Sequence, residues 1–113
     1  MTRAAYADSE RSRFWEDPRP FAALASLIEQ NAAYRRYAAS LTAMWRDLLT
    51  PLAPEESVLV IGHSGELETA LVASLPRADH AGWGGMFGPC EGARLRFDGE
   101  PARFRSVEIL REP

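Results

Sequence analysis

The amino-acid sequence predicts one domain of the α/β class over residues 1–113. Three observations indicate this class. Apolar side chains recur at helical spacing over residues 20–50, residues 57–75 have the pattern of a strand, a turn and a helix, and residues 92–111 alternate as a hairpin does. We therefore expect a short parallel or mixed sheet, helices packed against it and a C-terminal β-hairpin. A chain of this length has room for one hydrophobic core.

The composition is that of a globular protein, with 46% apolar and 26% charged residues. The formal net charge is −3 and the 13 basic residues, all arginine, are scattered, so a broad nucleic-acid surface is not expected. The single cysteine, Cys90, excludes an internal disulfide and leaves too few thiolates for a cysteine-based metal site. No apolar run reaches the roughly 20 residues that span a bilayer, and the start lacks the apolar stretch of a secretory signal. We expect a cytoplasmic protein without metal, cofactor, nucleic-acid or membrane partner.

The N-terminal half is predicted to be helical after an irregular lead-in. Residues 1–19 are polar and contain Pro18, and Pro20 suits the first position of a helix. The helical pattern continues to Thr50, before Pro51, and predicts two helices, or one with a break near Asn31. The predicted apolar faces are Phe21, Leu24, Leu27 and Ile28, and then Tyr34, Tyr37, Leu41, Met44 or Trp45, and Leu48.

The next segment has the pattern of half a β-α-β unit. Residues 57–61, SVLVI, are apolar without alternation, which is typical of a strand covered on both faces in a parallel sheet. Gly62 ends this strand, and Ser64 can cap a helix that Pro76 terminates. The apolar face of that helix would be Leu67, Leu71 and Leu75.

The C-terminal part combines a long loop and a hairpin. Residues 76–91 contain four glycines and two prolines and are predicted to form a glycine-rich loop. Residues 92–111 are predicted to form a hairpin with a turn at Asp98-Gly99. The apolar phase slips between Phe104 and Val107, which indicates a β-bulge.

The turn Gly62-His63-Ser64 allows two chemistries. A serine nucleophile would require a glycine two positions later, where Glu66 stands, and a histidine base from a later segment, where only His80 is found. The serine hydrolase alternative is therefore the weaker one. The other chemistry is anion binding, because free N–H groups at the start of a helix favour negative charge. His63, Ser64 and Gly65 are then the predicted phosphate-binding residues, although Glu66 would compete with an anion.

The segment Val58 to Gly65, VLVIGHSG, together with Leu67-Glu68, resembles the second histidine motif of the histidine phosphatase superfamily, which has the phosphoglycerate mutase-like fold. The segments LPRADHA from residue 75, WG from 83, EGARL from 91 and VEILR from 107 are similar to the C-terminal portion of small members, and the similarity before residue 57 is looser. The resemblance implies part of a three-layer fold. It also implies a catalytic role for His63, which contacts the transferred phosphoryl group in such enzymes.

The family's nucleophilic histidine, in an Arg-His-Gly motif near the N-terminus, has no counterpart here, since Arg3 is followed by Ala4. The resemblance therefore implies a phosphomonoester-binding protein that is catalytically incomplete as written. It could be a relative that folds without the chemistry, or the C-terminal piece of a phosphatase or mutase that an N-terminal segment or a partner completes. The alternative is a noncatalytic interaction or assembly domain that keeps the fold. Because the strand expected beside residues 57–61 is missing, we expect a homodimer or a partner chain that completes the sheet.

Two further residues are candidates for the mouth of a substrate site. Trp83 could line such a mouth or could instead pin the glycine-rich loop to the core. Arg94 could reach a phosphate, although an exposed charge alternating along a strand is the ordinary expectation. The predicted ligand is a phosphorylated small molecule.

Overall fold

The structure, a computed structural model, describes residues 17–99 and 102–112. Its elements in chain order are helices α1 (Pro20–Gln30), α2 (Ala32–Leu49) and α3 (Glu66–Ser74), a 3-10 turn (His80–Trp83), and strands β1 (Gly92–Gly99) and β2 (Ala102–Leu110). The described part is therefore mixed α/β, as predicted. The predicted lead-in lies outside the described residues up to residue 16.

A single residue, Asn31, separates the first two helices. Its backbone is extended, and its side-chain Oδ1 accepts the N–H of Tyr34 at 3.0 Å, which satisfies one of the free donors at the start of α2. Pro20 stands in the first turn of α1, where its fixed φ suits a helix. Of the two expectations for residues 20–49, two helices is the one observed.

Helix α3 lies at the centre of the domain and packs against both α1 and α2. It is buried on nearly all sides, and its polar residues Glu68 and Thr69 are fully buried. Buried polar groups need hydrogen-bond partners, and both side chains have them. The buried apolar cluster around the helix consists of Phe21, Leu24, Tyr34, Leu41, Trp45, Ala70, Leu71, Val72, Met86, Phe87 and Phe104.

Strands β1 and β2 form an antiparallel hairpin, and the predicted bulge is present. Arg96 pairs with Ser106 and Phe97 pairs with Phe104, so Arg105 is the extra residue on β2. The ring of Phe104 packs edge-on against Trp45 of α2, with centroids 6.4 Å apart. This contact attaches the hairpin to the helical layer.

The prediction of a parallel sheet is wrong for the described residues, whose sheet has two antiparallel strands. Residues 56–63 form no strand, and Leu59 and Ile61 are 83% and 86% exposed. The physical reason is that a strand needs a hydrogen-bonded neighbour, and the structure places no strand beside this apolar segment. The cap of the following helix is also different from the prediction, because Gly65, with φ of 92°, takes that position instead of Ser64.

In the part of the chain that the structure describes, no helix has both the length and the apolar character needed to cross a membrane.

Candidate functional site

An open groove of about 1080 Å³ lies between the C-terminal half of α2, residues 57–64 and strand β1. Its walls are mostly apolar, and polar groups enter it from the turn before α3 and from β1. The apolar lining includes Trp45, Leu48, Leu67, Leu71, Phe87 and Leu95. This volume is slightly above the range of about 300–1,000 Å³ that is usual for small-molecule sites.

The structure brings three of the predicted site residues to this groove. His63 is exposed and lines it, and Ser64 and Arg94 line it too. His63 lies three residues before α3, and its carbonyl accepts the N–H of Leu67 at 3.1 Å. The guanidinium of Arg94 pairs with the Glu108 carboxylate at 3.1 Å, and both side chains are largely exposed. An imidazole and a guanidinium therefore share one opening.

Two of the donors predicted to bind phosphate, the Gly65 N–H and the Ser64 hydroxyl, have an internal partner, the carboxylate of Glu68. Its Oε1 accepts the backbone N–H of Gly65 at 2.7 Å. Its Oε2 accepts the hydroxyl of Ser64 at 2.8 Å and the backbone N–H of Phe87 at 3.0 Å. This buried carboxylate occupies the place beside the first turn of α3 where the sequence predicted an external anion. The Ser64 hydroxyl likewise donates to a carboxylate and not to a histidine base.

Glu68 is the functional residue that the sequence reasoning missed. It is the third residue of α3, and a carboxylate there commonly reaches back to the N–H of the capping residue. In the usual sequence signature, the capping box, a serine or threonine at the cap stands three residues before the glutamate. Here the cap is Gly65, so this part of the signal was absent. The separation of three residues between Gly65 and Glu68 was the signal that remained.

The turn before α3 is also stabilised by hydrogen bonds of the buried residues Thr69 and Tyr34. The hydroxyl of Thr69 donates to the carbonyl of Gly65 at 2.7 Å and is hydrogen-bonded to the hydroxyl of Tyr34. Tyr34 is fully buried and belongs to α2. The position of His63 therefore depends on a polar network that connects two helices through buried side chains.

Trp83 is not among the residues that line the groove. Its ring packs edge-on against Phe21 at 5.3 Å and against His80 at 4.9 Å between centroids. His80 is itself buried, and its Nε2 is 2.8 Å from the carbonyl oxygen of Leu75. Both aromatic side chains brace the glycine-rich loop, which is the structural alternative that the sequence had left open for Trp83.

Arg111, which follows strand β2, stabilises the glycine-rich loop through hydrogen bonds. The guanidinium donates to the carbonyls of Trp83 at 2.6 Å and Gly85 at 2.7 Å, and to the carboxylate of Glu91 at 2.9 Å. Glu91 also accepts the backbone N–H of Gly88 at 2.9 Å. The Gly88 N–H, followed by the Arg111 guanidinium, holds the pKa of Glu91 below its ordinary value.

Within residues 17–99 and 102–112, no three histidine, cysteine, aspartate or glutamate side chains are grouped so that they could hold a metal ion. No protein-family model, no curated protein and no solved structure matches this chain.

Proposed function

We propose that residues 1–113 form a histidine phosphatase-like domain that binds a phosphomonoester at His63 and contains no Arg-His-Gly motif to supply the nucleophile for phosphoryl transfer. The observation that carries the proposal is that His63 and Arg94 line the same groove. Imidazole N–H and guanidinium groups are strong donors to phosphate oxygens, and a guanidinium can donate two parallel hydrogen bonds. The apolar walls of the groove suit the organic part of an ester.

Arg94 can be recruited by such a ligand at small cost. Its present partner is Glu108, and the two side chains are 66% and 61% exposed. An ion pair at this level of exposure contributes only about 0–1 kcal/mol. A dianionic phosphate beside His63 would compete with the Glu108 carboxylate for the same guanidinium.

Glu68 gives Ser64 and Gly65 a supporting role in this proposal. The Ser64 hydroxyl and the Gly65 N–H both donate to the buried carboxylate, so these two residues shape the turn that presents His63. Phosphoryl transfer through a phosphohistidine needs an attacking imidazole and cationic groups on the equatorial oxygens. Of the two histidines, His80 is buried and its ring nitrogen is bonded to the Leu75 carbonyl, so His63 is the imidazole at the groove. In this proposal His63 binds the phosphate, and no second imidazole of the described residues lines the groove to act as the nucleophile. We therefore propose ligand binding without turnover.

The test is a titration with phenyl phosphate monitored through the ring signals of His63 and His80. We expect the His63 signals to shift and the His80 signals to stay in place. Arg94→Gln is expected to weaken binding by about tenfold, which corresponds to the loss of one charged contact. Arg96→Gln is the matched control, because Arg96 is exposed on the same strand and does not line the groove.

Identical His63 signals with and without the ester would overturn the binding proposal. Hydrolysis of the ester that is abolished in His63→Gln would instead overturn the statement that catalysis is incomplete.

A noncatalytic assembly domain is the second candidate. The observation that favours it is the exposed apolar segment 58–61, which the phosphomonoester proposal does not explain.

A further inference from the structure

Exposed large apolar side chains are concentrated on one surface of the described residues. Seven such side chains are exposed in this part of the chain, and all but Met44 line the groove. The six at the groove are Leu48, Val58, Leu59, Val60, Ile61 and Leu110. Scattered exposed apolar residues are normal in proteins, but a contiguous group of them marks an interaction surface.

The exposure of the apolar segment alternates from one residue to the next. Val58 and Val60 are 44% and 36% exposed, whereas Leu59 and Ile61 are 83% and 86% exposed. A period of two residues is the side-chain pattern of a β-strand. All four residues border the groove, but Leu59 and Ile61 are covered far less than Val58 and Val60, and the segment belongs to no sheet of the described residues.

The backbone of this segment has no hydrogen-bond partner among residues 17–99 and 102–112. No hydrogen bond between described residues uses a backbone N–H or C=O of residues 57–62. Unpaired backbone groups along an apolar strand are a template for pairing with another strand. The occupant that fits this surface must therefore supply both a strand edge and apolar side chains.

We propose that residues 57–61 pair with the same segment of a second copy of this chain, antiparallel and around a twofold axis at Leu59. The flanking charges favour the antiparallel direction. Glu55 and Glu56 precede the apolar run and His63 follows it. Parallel pairing would place the acidic ends side by side, whereas antiparallel pairing places each acidic end near the other copy's histidine.

Symmetry restricts the register. Directly opposed residues of an antiparallel pair point to the same face. Side chains alternate along each strand, so a closed twofold dimer must oppose odd-numbered residues with odd-numbered ones and even-numbered residues with even-numbered ones. The register centred on Leu59 places Leu59 against Leu59 of the second copy. It also places Glu55 opposite His63 of the second copy, where the carboxylate can accept a hydrogen bond from the imidazole N–H.

The strand pair alone is too small for a stable dimer. Specific interfaces bury at least about 1,000 Å² in total, which is more than four apolar residues from each copy provide. The neighbouring side chains Leu48 and Leu110 are exposed on the same groove and extend the apolar surface. The proposed interface therefore contains the strand segment at its centre and these two residues beside it.

This proposal does not rest on the phosphomonoester proposal. A second copy would bring Glu55 beside the His63 ring, so the dimer and the ester would exclude each other at that position. The ester titration is therefore carried out on the natural chain at a concentration below that at which the dimer forms, where its failure cannot be caused by dimer formation.

The first test is the mass in solution over a concentration series. We expect a monomer–dimer equilibrium for the natural chain. Leu59→Lys is expected to weaken the dimer by about tenfold or more, because two charges would meet at the twofold axis. Ile61→Lys is expected to weaken it as well, because each copy would place a charge in an apolar part of the interface. Both side chains are highly exposed, so the fold should not change. Met44→Lys, outside the groove, is the control that should leave the equilibrium unchanged. A natural chain that stays monomeric at high concentration would overturn the proposal.

The second test determines the register of the two paired strand segments by cysteine cross-linking. In a Cys90→Ser background, Leu59→Cys places two thiols opposite each other on the axis, within the separation of about 4.4–6.8 Å between Cα atoms that a disulfide requires. We expect a cross-linked dimer on mild oxidation. Ile61→Cys has the same exposure and face, but it would lie four residues from its counterpart and should stay uncross-linked. Cross-linking of Ile61→Cys in preference to Leu59→Cys would overturn the register.

Discussion

The carboxylate of Glu68 accepts the backbone N–H of Phe87 at 3.0 Å and so joins helix α3 to the glycine-rich loop. The same carboxylate also binds the Gly65 N–H and the Ser64 hydroxyl. One buried side chain therefore determines both the turn that presents His63 and the loop that borders the groove.

Replacing Glu68 should strongly destabilise the fold. Glu68→Ala would leave the buried N–H groups of Gly65 and Phe87 unsatisfied, and each such group costs about 1–3 kcal/mol. We expect the free energy of unfolding to fall by about 2–4 kcal/mol in urea denaturation. Glu68→Gln should lose less, since one oxygen acceptor remains. Glu29→Gln, at an exposed position of α1, is the control, and equal urea midpoints for Glu68→Ala and the natural chain would contradict the assigned role.

Gly84 is expected to tolerate no larger residue. Its φ is +86°, and an added Cβ would lie 3.0 Å from the Nη2 atom of Arg111. With ψ of −154°, Gly84 lies in a backbone region that is essentially restricted to glycine, so Gly84→Ala should cost about 1–3 kcal/mol in addition to displacing Arg111. The neighbouring Gly85 has open space around its Cβ position and no positive φ. Gly85→Ala should accordingly leave the melting temperature nearly unchanged, and a similar loss in both variants would refute this account.

Glu91 should make the stability of the protein depend on pH in the acidic range. The Gly88 N–H and then the Arg111 guanidinium lower the pKa of Glu91 in the folded chain. The carboxyl therefore contributes stability above its ordinary value of 4.5, and this contribution is lost as the pH falls through the lower folded value. The difference in unfolding free energy between the natural chain and Glu91→Gln should be largest near pH 7 and should shrink on acidification. A difference that is constant from pH 7 to pH 3 would contradict the assigned contacts.

The helices and the hairpin could be predicted because their signals are local. Asn31 interrupts a helical pattern, and the phase slip between Phe104 and Val107 records the bulge at Arg105. The segment 57–61 could not be predicted correctly in the same way, since an apolar run does not say whether a neighbouring strand exists.

The candidate site was predictable only in part. His63 and Arg94 were named from the sequence, and the structure places both at one groove. The partner of Ser64 and Gly65 was not foreseen. A glycine cap weakens the capping signature that would have indicated Glu68, and the bond from Glu68 to Phe87 spans 19 positions of the chain. A contact between residues so far apart in the chain produces no regular spacing of residue types by which it could be predicted.

The contacts of Arg111 also bear on the order in which the domain folds. The carbonyls of Trp83 and Gly85 and the carboxylate of Glu91 receive their hydrogen bonds from a residue 20 to 28 positions later. Residues 83–91 therefore cannot complete their own hydrogen bonding as a local unit. They should reach their final arrangement only after the hairpin has docked, and closing contacts over such separations is the slow part of folding. Formation of the helical layer is expected to precede formation of the groove.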